Sequence, residues 1–428
     1  MNKNERYLAV VLAICILLFG KFYLGGDMLF FRLLMGVGLG YTLSRAYMGF
    51  AGSVNRAYNT GSTKLMRTLM FMFFITAVLS TAVLYGNDAS KFDLWVNPIN
   101  FGLIAGGVLF GFGMVFSSCC ASGVLTDLVE AFPRAFITLI FFCAGVFLGF
   151  PLQHTSAWIQ ESWITTETGQ KIGYNGVYLP DLFKNDGLNG YLGAIIVTGI
   201  LCIIVVLISL AYENKRKVAK TYSPFMSENY QILEAKKEIE ASSDREKHIS
   251  IFSEEGYQRI FVKPWSMKVG SMVIAGIFVM LMGVTKAGWG ASTPYGLWFG
   301  KTLMLFGVSP ESIASFAHMK PDPFTMPFFQ HPINVQNFGI ILGALLYMLC
   351  CGQLKNSMKA SVNISFKQAI FFAIGGLSMG FGTRLSNGCN VGALYTPIAN
   401  FSLSGWIFLV FLVGGGIIGN KVAKAMKL

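Results

Sequence analysis

Six stretches of the chain run with almost no charge: Val10–Phe19, Leu65–Leu84, Ile195–Leu210, Ser271–Met282, Asn337–Cys351 and Trp406–Ile418. No other feature limits the fold so sharply. A helix rises about 1.5 Å per residue, so ~20 apolar residues match a hydrocarbon core ~30 Å thick. Inside that core every backbone polar group must be bonded within the protein, which favours helices for long apolar segments. The expected fold class is an all-α polytopic membrane protein. Composition agrees, with 54% hydrophobic and 13% charged residues against roughly 25% charged in a soluble domain. A soluble chain of 428 residues would suggest about three domains, but the apolar runs override that division. A secreted disulfide scaffold and a disordered tail are excluded.

Ten spans are expected, at 8–25, 28–50, 65–85, 99–117, 135–152, 190–211, 267–285, 334–351, 368–386 and 405–423. Basic residues precede the first apolar run and no clear small-residue cleavage site follows, so it reads as an uncleaved span. Two apolar stretches, 119–132 and 388–401, follow spans directly and are too short to cross. A third, 294–308, is amphipathic and reads as interfacial or re-entrant. Irregular backbone at membrane depth survives only where protein or a wet cavity covers it, so these pieces point to a pathway.

The net charge of +12 does not indicate a nucleic-acid binder, because the basic residues lie between apolar runs, where they orient a membrane protein. Arg45, Arg56, Lys64 and Arg67 flank the 51–64 loop. Lys215, Arg216, Lys217 and Lys220 follow the sixth span, Lys355, Lys359 and Lys367 precede the ninth, and Lys421, Lys424 and Lys427 end the chain. All fall on one face if both termini are cytoplasmic. The opposite loops, 86–98 and 153–189, include Asp88, Asp93, Glu161, Glu167, Asp181 and Asp186. The expected divisions are a first membrane half at 1–211, a linker at 212–266 and a second membrane half at 267–428. The linker carries mixed charges, as in Glu234–Glu240 and Asp244–Lys247. It reads either as a solvated connection containing a short helix or as a docking surface for a cytosolic partner.

The chain repeats itself. Gly106–Leu125 aligns without gaps on Gly375–Leu394, with nine of twenty positions identical, and the register continues to Phe132/Phe401 and Gly145/Gly414. Each half holds about five spans, an odd number, so the halves are expected to enter the membrane in opposite senses. Inverted repeats of this kind build transporters whose site lies near the midplane, where the halves meet.

Within the repeat, glycines permit close helix approach, and small polar groups follow an apolar helix in both copies: Ser117-Ser118-Cys119-Cys120 and Ser386-Asn387-Gly388-Cys389-Asn390. Such groups are costly in hydrocarbon unless they face a cavity or one another. Free N–H groups at a helix start also favour an anion. Cys120 and Cys389 are therefore the candidate pathway thiols, with Cys119 beside them. Cys15, Cys143, Cys202, Cys350 and Cys351 read as small packing residues. All eight cysteines lie in or beside apolar segments without metal-type spacing, so free thiols are expected. Arg384 stands inside the ninth span and reads either as an anion-attracting residue or as a side chain reaching for an interface. Arg45 and Asp127 are weaker cases of the same kind. His154, His248, His318 and His331 lie in expected loops without ligand spacing, and no metal or other cofactor is expected.

At these residues the sequence resembles the YeeE/YedE membrane proteins, bacterial sulfur-compound transporters. The resemblance rests on Gly106–Leu125, Gly375–Tyr395, Asn400–Trp406, Trp289–Thr293 and Gly300–Val308, and the second half is especially similar to the longer YedE branch. It implies an hourglass-shaped pathway in the cytoplasmic (inner) membrane for thiosulfate or a related sulfur species, with cysteines at the constrictions. It also implies a small TusA-like sulfur-carrier protein as a cytosolic partner. Family members often carry a further cysteine near an early arginine-aromatic stretch. Here Ser44–Gly49 offers Met48 instead, and a thioether cannot donate a hydrogen bond. The expected pathway residues are thus Cys120, Cys389, Cys119, Ser117, Ser118, Asn387, Gly388, Asn390, Arg384 and Met48. The expected function is non-enzymatic uptake by non-covalent relay between thiols. The alternatives are transport of a selenium or other sulfur species, and a membrane-embedded enzyme that transfers sulfur through a persulfide.

Overall fold

In the computed structural model, residues 3–243 and 253–426 are described; His248, the charged run 244–247 and Lys427 lie outside them. The described residues contain helices and two isolated bridges but no strand. Ten long helices stand where the apolar runs place them: α1 (Lys3–Leu18), α2 (Asp27–Arg45), α3 (Lys64–Leu84), α4 (Phe101–Ser117), α5 (Phe132–Thr155), α6 (Tyr191–Val218), α7 (Met267–Thr285), α8 (Pro332–Cys351), α9 (Phe366–Leu385) and α10 (Ser404–Ala425). Eight helices among the described residues are long and apolar enough to cross a membrane. Of the other two, α4 has 17 residues, and α2 carries Asp27 and Arg32 within its 19. The starts are set locally. The Asn100 side chain accepts from the Leu103 N–H at 3.0 Å, and Ser365 with Gln368 forms a reciprocal cap on α9, satisfying N–H groups that a helix start leaves free.

The chain is a multi-pass membrane protein. Its outermost helices are α1 and α6, whose apolar windows are only 17% and 22% buried. Their outward isoleucines, leucines and valines suit hydrocarbon rather than water. At the centre α4 and α9 cross, α4 also packs on α10, and α9 on α5. Around them α8 packs on α2 and α1, and α3 on α7 and α6. The crossing is close because it is made of glycine. A β-carbon on Gly113 would lie 2.5 Å from the Gly375 carbonyl oxygen, far inside van der Waals contact.

Four short helices lie among these. Gly123–Glu130 and the Asn390–Ala399 segment, a π-turn followed by Thr396–Ala399, occupy the stretches expected to be too short to span. Thr293–Leu305 packs on α5, and Gly52–Thr60, within the 51–64 loop, packs on α10. The expected bounds err in one informative place: α5 extends to Thr155, so His154 is helical rather than in a loop. Its ring stacks on Phe150 one turn earlier, and its Nδ1 lies 2.9 Å from the Ala317 carbonyl.

The linker is not simply solvated. α6 continues to Val218, and a further helix spans Met226–Ser243. Within it Glu228 and Gln231 are 2% and 7% exposed. Arg45 is structural in this setting. Its Nε and Nη2 donate to the Lys263 and Arg259 carbonyls at 2.9 and 3.0 Å, its Nη1 donates to Ile260, and its guanidinium lies 4.4 Å from the Trp265 ring centre. It closes the end of the Gln258–Val262 turn.

Candidate functional site

The two copies of the repeat end their helices alike. After α4, Ser118 adopts φ +56°, and after α9, Asn387 adopts φ +55°, a left-handed conformation that breaks each helix. The preceding serines secure the breaks. Ser117 Oγ lies 2.9 Å from the Gly113 carbonyl and 3.2 Å from that of Cys119. Ser386 Oγ lies 2.9 Å from the carbonyls of Gly382 and Gly388. The copies also touch each other through sulfur: Asn390 Nδ2 approaches Met114 Sδ at 3.0 Å, and Ser117 Oγ approaches Met379 Sδ at 3.6 Å.

A cavity of about 1120 Å³ reaches the first break. Met48, Ser118, Cys119 and Cys120 line it, together with polar groups from α2, Gly52–Thr60 and Gly123–Glu130. Cys120 is 1% exposed. Its Sγ accepts from the Gly123 N–H at 3.4 Å and lies 3.5 Å from Ser122 Oγ. Met48 is held by α7, where Ser271 Oγ lies 3.9 Å from its sulfur. Cys389 does not line the cavity and is fully buried, yet it lies within electrostatic range of Cys120. Tyr295, on the Thr293–Leu305 helix, is within the same range of both thiols and donates to the Ala121 carbonyl at 2.6 Å. That bond ties a third short helix to the turn that carries Cys120.

The remaining expected residues form a second group. Ser117, Asn387, Gly388, Asn390 and Arg384 lie outside the cavity lining. Arg384 is 5% exposed, so it does not reach out to an interface. Its Nη1 donates to Gln153 Oε1 at 3.3 Å, and Gln153 Nε2 donates to Asn387 Oδ1 at 2.7 Å. The guanidinium sits 5.5 Å from the Phe150 ring centre, and Nε has no hydrogen-bond partner. Among the described residues no carboxylate pairs with Arg384, so its charge is not balanced by an ion pair.

Several polar residues near the cavity carried no strong signal in the sequence. Asp127 pairs with Arg134 at 2.7 Å, with Glu130 beside them in the lining. Arg56 is a lining residue whose position in a loop suggested only membrane orientation. No group of His, Cys, Asp or Glu among the described residues is arranged to hold a metal ion.

Membrane-length helices surrounding two broken segments, with an open cavity lined in part by thiols, have the architecture of a multi-pass transporter. The chain belongs to the Sulphur transport family, whose profile matches residues 45–418; the resemblance carried by the repeat is borne out. It is 32% identical over 163 residues to "Probable transporter YedE" of Escherichia coli K12, covering 37% of this chain and 38% of that one. The Salmonella typhimurium protein of the same name is 30% identical over 168 residues, covering 38% and 40%. The chain thus matches less than half the length of either YedE relative. "Thiosulfate transporter TsuA" of Spirochaeta thermophila is 22% identical over 401 residues, covering 91% and 97%. All three names describe transporters rather than enzymes.

Proposed function

We propose that this chain carries a small sulfur-containing anion, most simply thiosulfate, inward across the cytoplasmic membrane by non-covalent relay between Cys120 and Cys389. The observation that carries the reading is Cys120 in the wall of the 1120 Å³ cavity, with its repeat counterpart Cys389 buried within electrostatic range. The match along most of a protein named as a thiosulfate transporter supports the choice of ion. Thiosulfate has a large, polarizable terminal sulfur, and thiol S–H groups replace part of its hydration. Its oxygens suit the Gly123 N–H and the polar groups of Ser118, Asn387 and Asn390, with Gly388 leaving room for the Gly392 backbone, where a β-carbon would clash with the carbonyl carbon, and Ser117 holding the first turn. Cys119 and Met48 add soft contacts at the cavity. Each contact must stay weak, because passage needs release as well as capture.

In this reading the halves are inverted repeats, the cavity opens to the cytoplasm, and Arg384 with Gln153 and Asn387 receives the anion from the other side. The exchanged packing supports it: α2 meets α8 as α7 meets α3, and α5 meets α9 as α10 meets α4. The linker side is also where a TusA-like carrier would collect the sulfur species. The test is uptake of labelled thiosulfate, sulfate, sulfite and selenite by cells whose only candidate transporter is this chain. Thiosulfate accumulation supports the proposal, whereas selenite alone would reassign the substrate. A persistent mass increase on Cys120 or Cys389 after turnover would indicate persulfide chemistry instead of relay.

A further inference from the structure

The linker supplies part of the cavity wall. After α6 the chain returns to the Gly52–Thr60 helix, where the Ser223 N–H donates to the Thr60 carbonyl at 2.7 Å. Phe225 then packs under Arg56, with the guanidinium 4.4 Å from the ring centre. Phe225 and Ser227 form part of the cavity wall beside Arg56. One turn on, Gln231 Nε2 donates to the carbonyls of Ala46 and Trp265, both at 2.9 Å, pinning the linker helix to the end of α2.

Between these anchors sits a loose ion pair. The side chains of Glu228 and Arg56 are 3% and 11% exposed, and Glu228 Oε1 lies 3.6 Å from Arg56 Nη1, well beyond the ~2.8 Å of a charge-assisted hydrogen bond. Glu228 Oε2 accepts from Ser62 Oγ at 2.6 Å, but Oε1 has no hydrogen-bond partner. Arg56 Nη2 donates to the Tyr47 carbonyl at 3.1 Å, while Nη1 and Nε are without hydrogen-bond partners. A buried guanidinium with two unused donors, in the wall of a cavity, is an incompletely satisfied anion site. Among the described residues, the one carboxylate paired with it comes from the linker.

We propose that Arg56 is an inner binding site for a small oxyanion, and that Glu228 occupies it as a tethered substitute until the anion arrives. This rests on the transport reading. An anion leaving Cys120 meets Arg56, takes the donors that Glu228 leaves unused, and frees the carboxylate to water. The linker then loses its ionic anchor and opens the exit. The same competition lowers affinity at the last step, where release is required.

The experiment uses full-length protein purified in lipid nanodiscs with Ser227→Cys as a reporter, its alkylation rate read at that position by mass spectrometry. Glu228→Gln should speed alkylation roughly tenfold, the effect of about 1.4 kcal/mol of lost docking, and should tighten thiosulfate binding in calorimetry. Arg56→Ala should also speed alkylation but abolish its response to anion, with Arg56→Lys intermediate. Gln231→Ala loosens the linker without changing charge and covers the case in which Glu228→Gln does not fold. Thiosulfate added to the reporter protein should speed alkylation. If sulfate does so and thiosulfate does not, the inner site stands and thiosulfate loses its place as substrate. If uptake is intact while Arg56→Ala binds thiosulfate and responds like the reporter protein, the inner site is overturned and the transport reading survives. Acceleration by Gln231→Ala but not Glu228→Gln would reduce the contact to simple packing.

Discussion

Gly106 lies against Gly382 so closely that a β-carbon on Gly106 would stand 2.6 Å from the Gly382 carbonyl oxygen. Their counterparts in the repeat, Gly375 and Gly113, meet in the same way: a β-carbon on Gly375 would stand 2.8 Å from the Gly113 carbonyl oxygen. The two contacts bracket the α4–α9 crossing and hold both helix breaks at the centre of the bundle. Added volume here must push the helices apart. Gly106→Ala and Gly113→Ala should each destabilise the protein by about 1–3 kcal/mol, measured by unfolding of the purified protein. Gly414 is the control. A β-carbon there meets nothing within 4 Å, so Gly414→Ala should be neutral or slightly stabilising. Equal losses at all three positions would remove the crossing from the account.

Cys120 and Cys389 should act through their thiols while Cys143 and Cys202 pack. Cys120→Ser and Cys389→Ser preserve shape approximately and lose the soft sulfur, so each should abolish or severely reduce thiosulfate uptake, with alanine as damaging. Either single change should suffice, with little further loss in the double. Cys143→Ala and Cys202→Ala, at buried sites, should cost packing of about 1 kcal/mol and leave transport largely intact. Uptake normalised to membrane protein decides. Parental uptake by both Cys120→Ala and Cys389→Ala would end the relay mechanism.

Arg384 has Gln153 and the Phe150 face as neighbours and should attract the anion. Arg384→Lys keeps the charge but loses the planar fork, so it should retain part of the uptake. Arg384→Ala should lose more at equal protein level. Gln153→Leu, which removes both the bridge to Asn387 and the acceptor of the Arg384 Nη1 hydrogen bond, should raise the half-saturating concentration while leaving the Arg384 charge in place. An Ala variant that transports normally would leave Arg384 a packing residue.

Inverted halves require residues 153–189 to lie opposite the linker. Reporter fusions at residues 170 and 240 should therefore give opposite signals, with the amino-terminal reporter matching that at 240. Identical signals at 170 and 240 would overturn the inversion and the direction assigned to the cavity.

The ten long helices were legible because hydropathy is a local property: an apolar run of sufficient length folds as a helix wherever it sits in a bilayer. The helix breaks were legible for another reason, since duplication displayed the polar cluster twice and exposed it as a pattern. The fate of single charged residues was not local. Arg45 and Arg56 look alike in sequence, yet Arg45 closes a distant turn at Lys263 while Arg56 faces a cavity and a carboxylate from the linker.

What the sequence determined by itself was an all-α membrane protein, its ten long helices, the duplicated motif and the cysteines worth testing. Tertiary structure alone decided that Cys120 rather than Cys389 meets the open cavity, that Arg384 stays buried beside Gln153, 231 residues away in the chain, and that Glu228 leaves water for a place beside Arg56. Charge patterning describes a segment's average preference for solvent. The burial of one carboxylate depends on a partner brought to it by other helices, and that partner is fixed only when they pack.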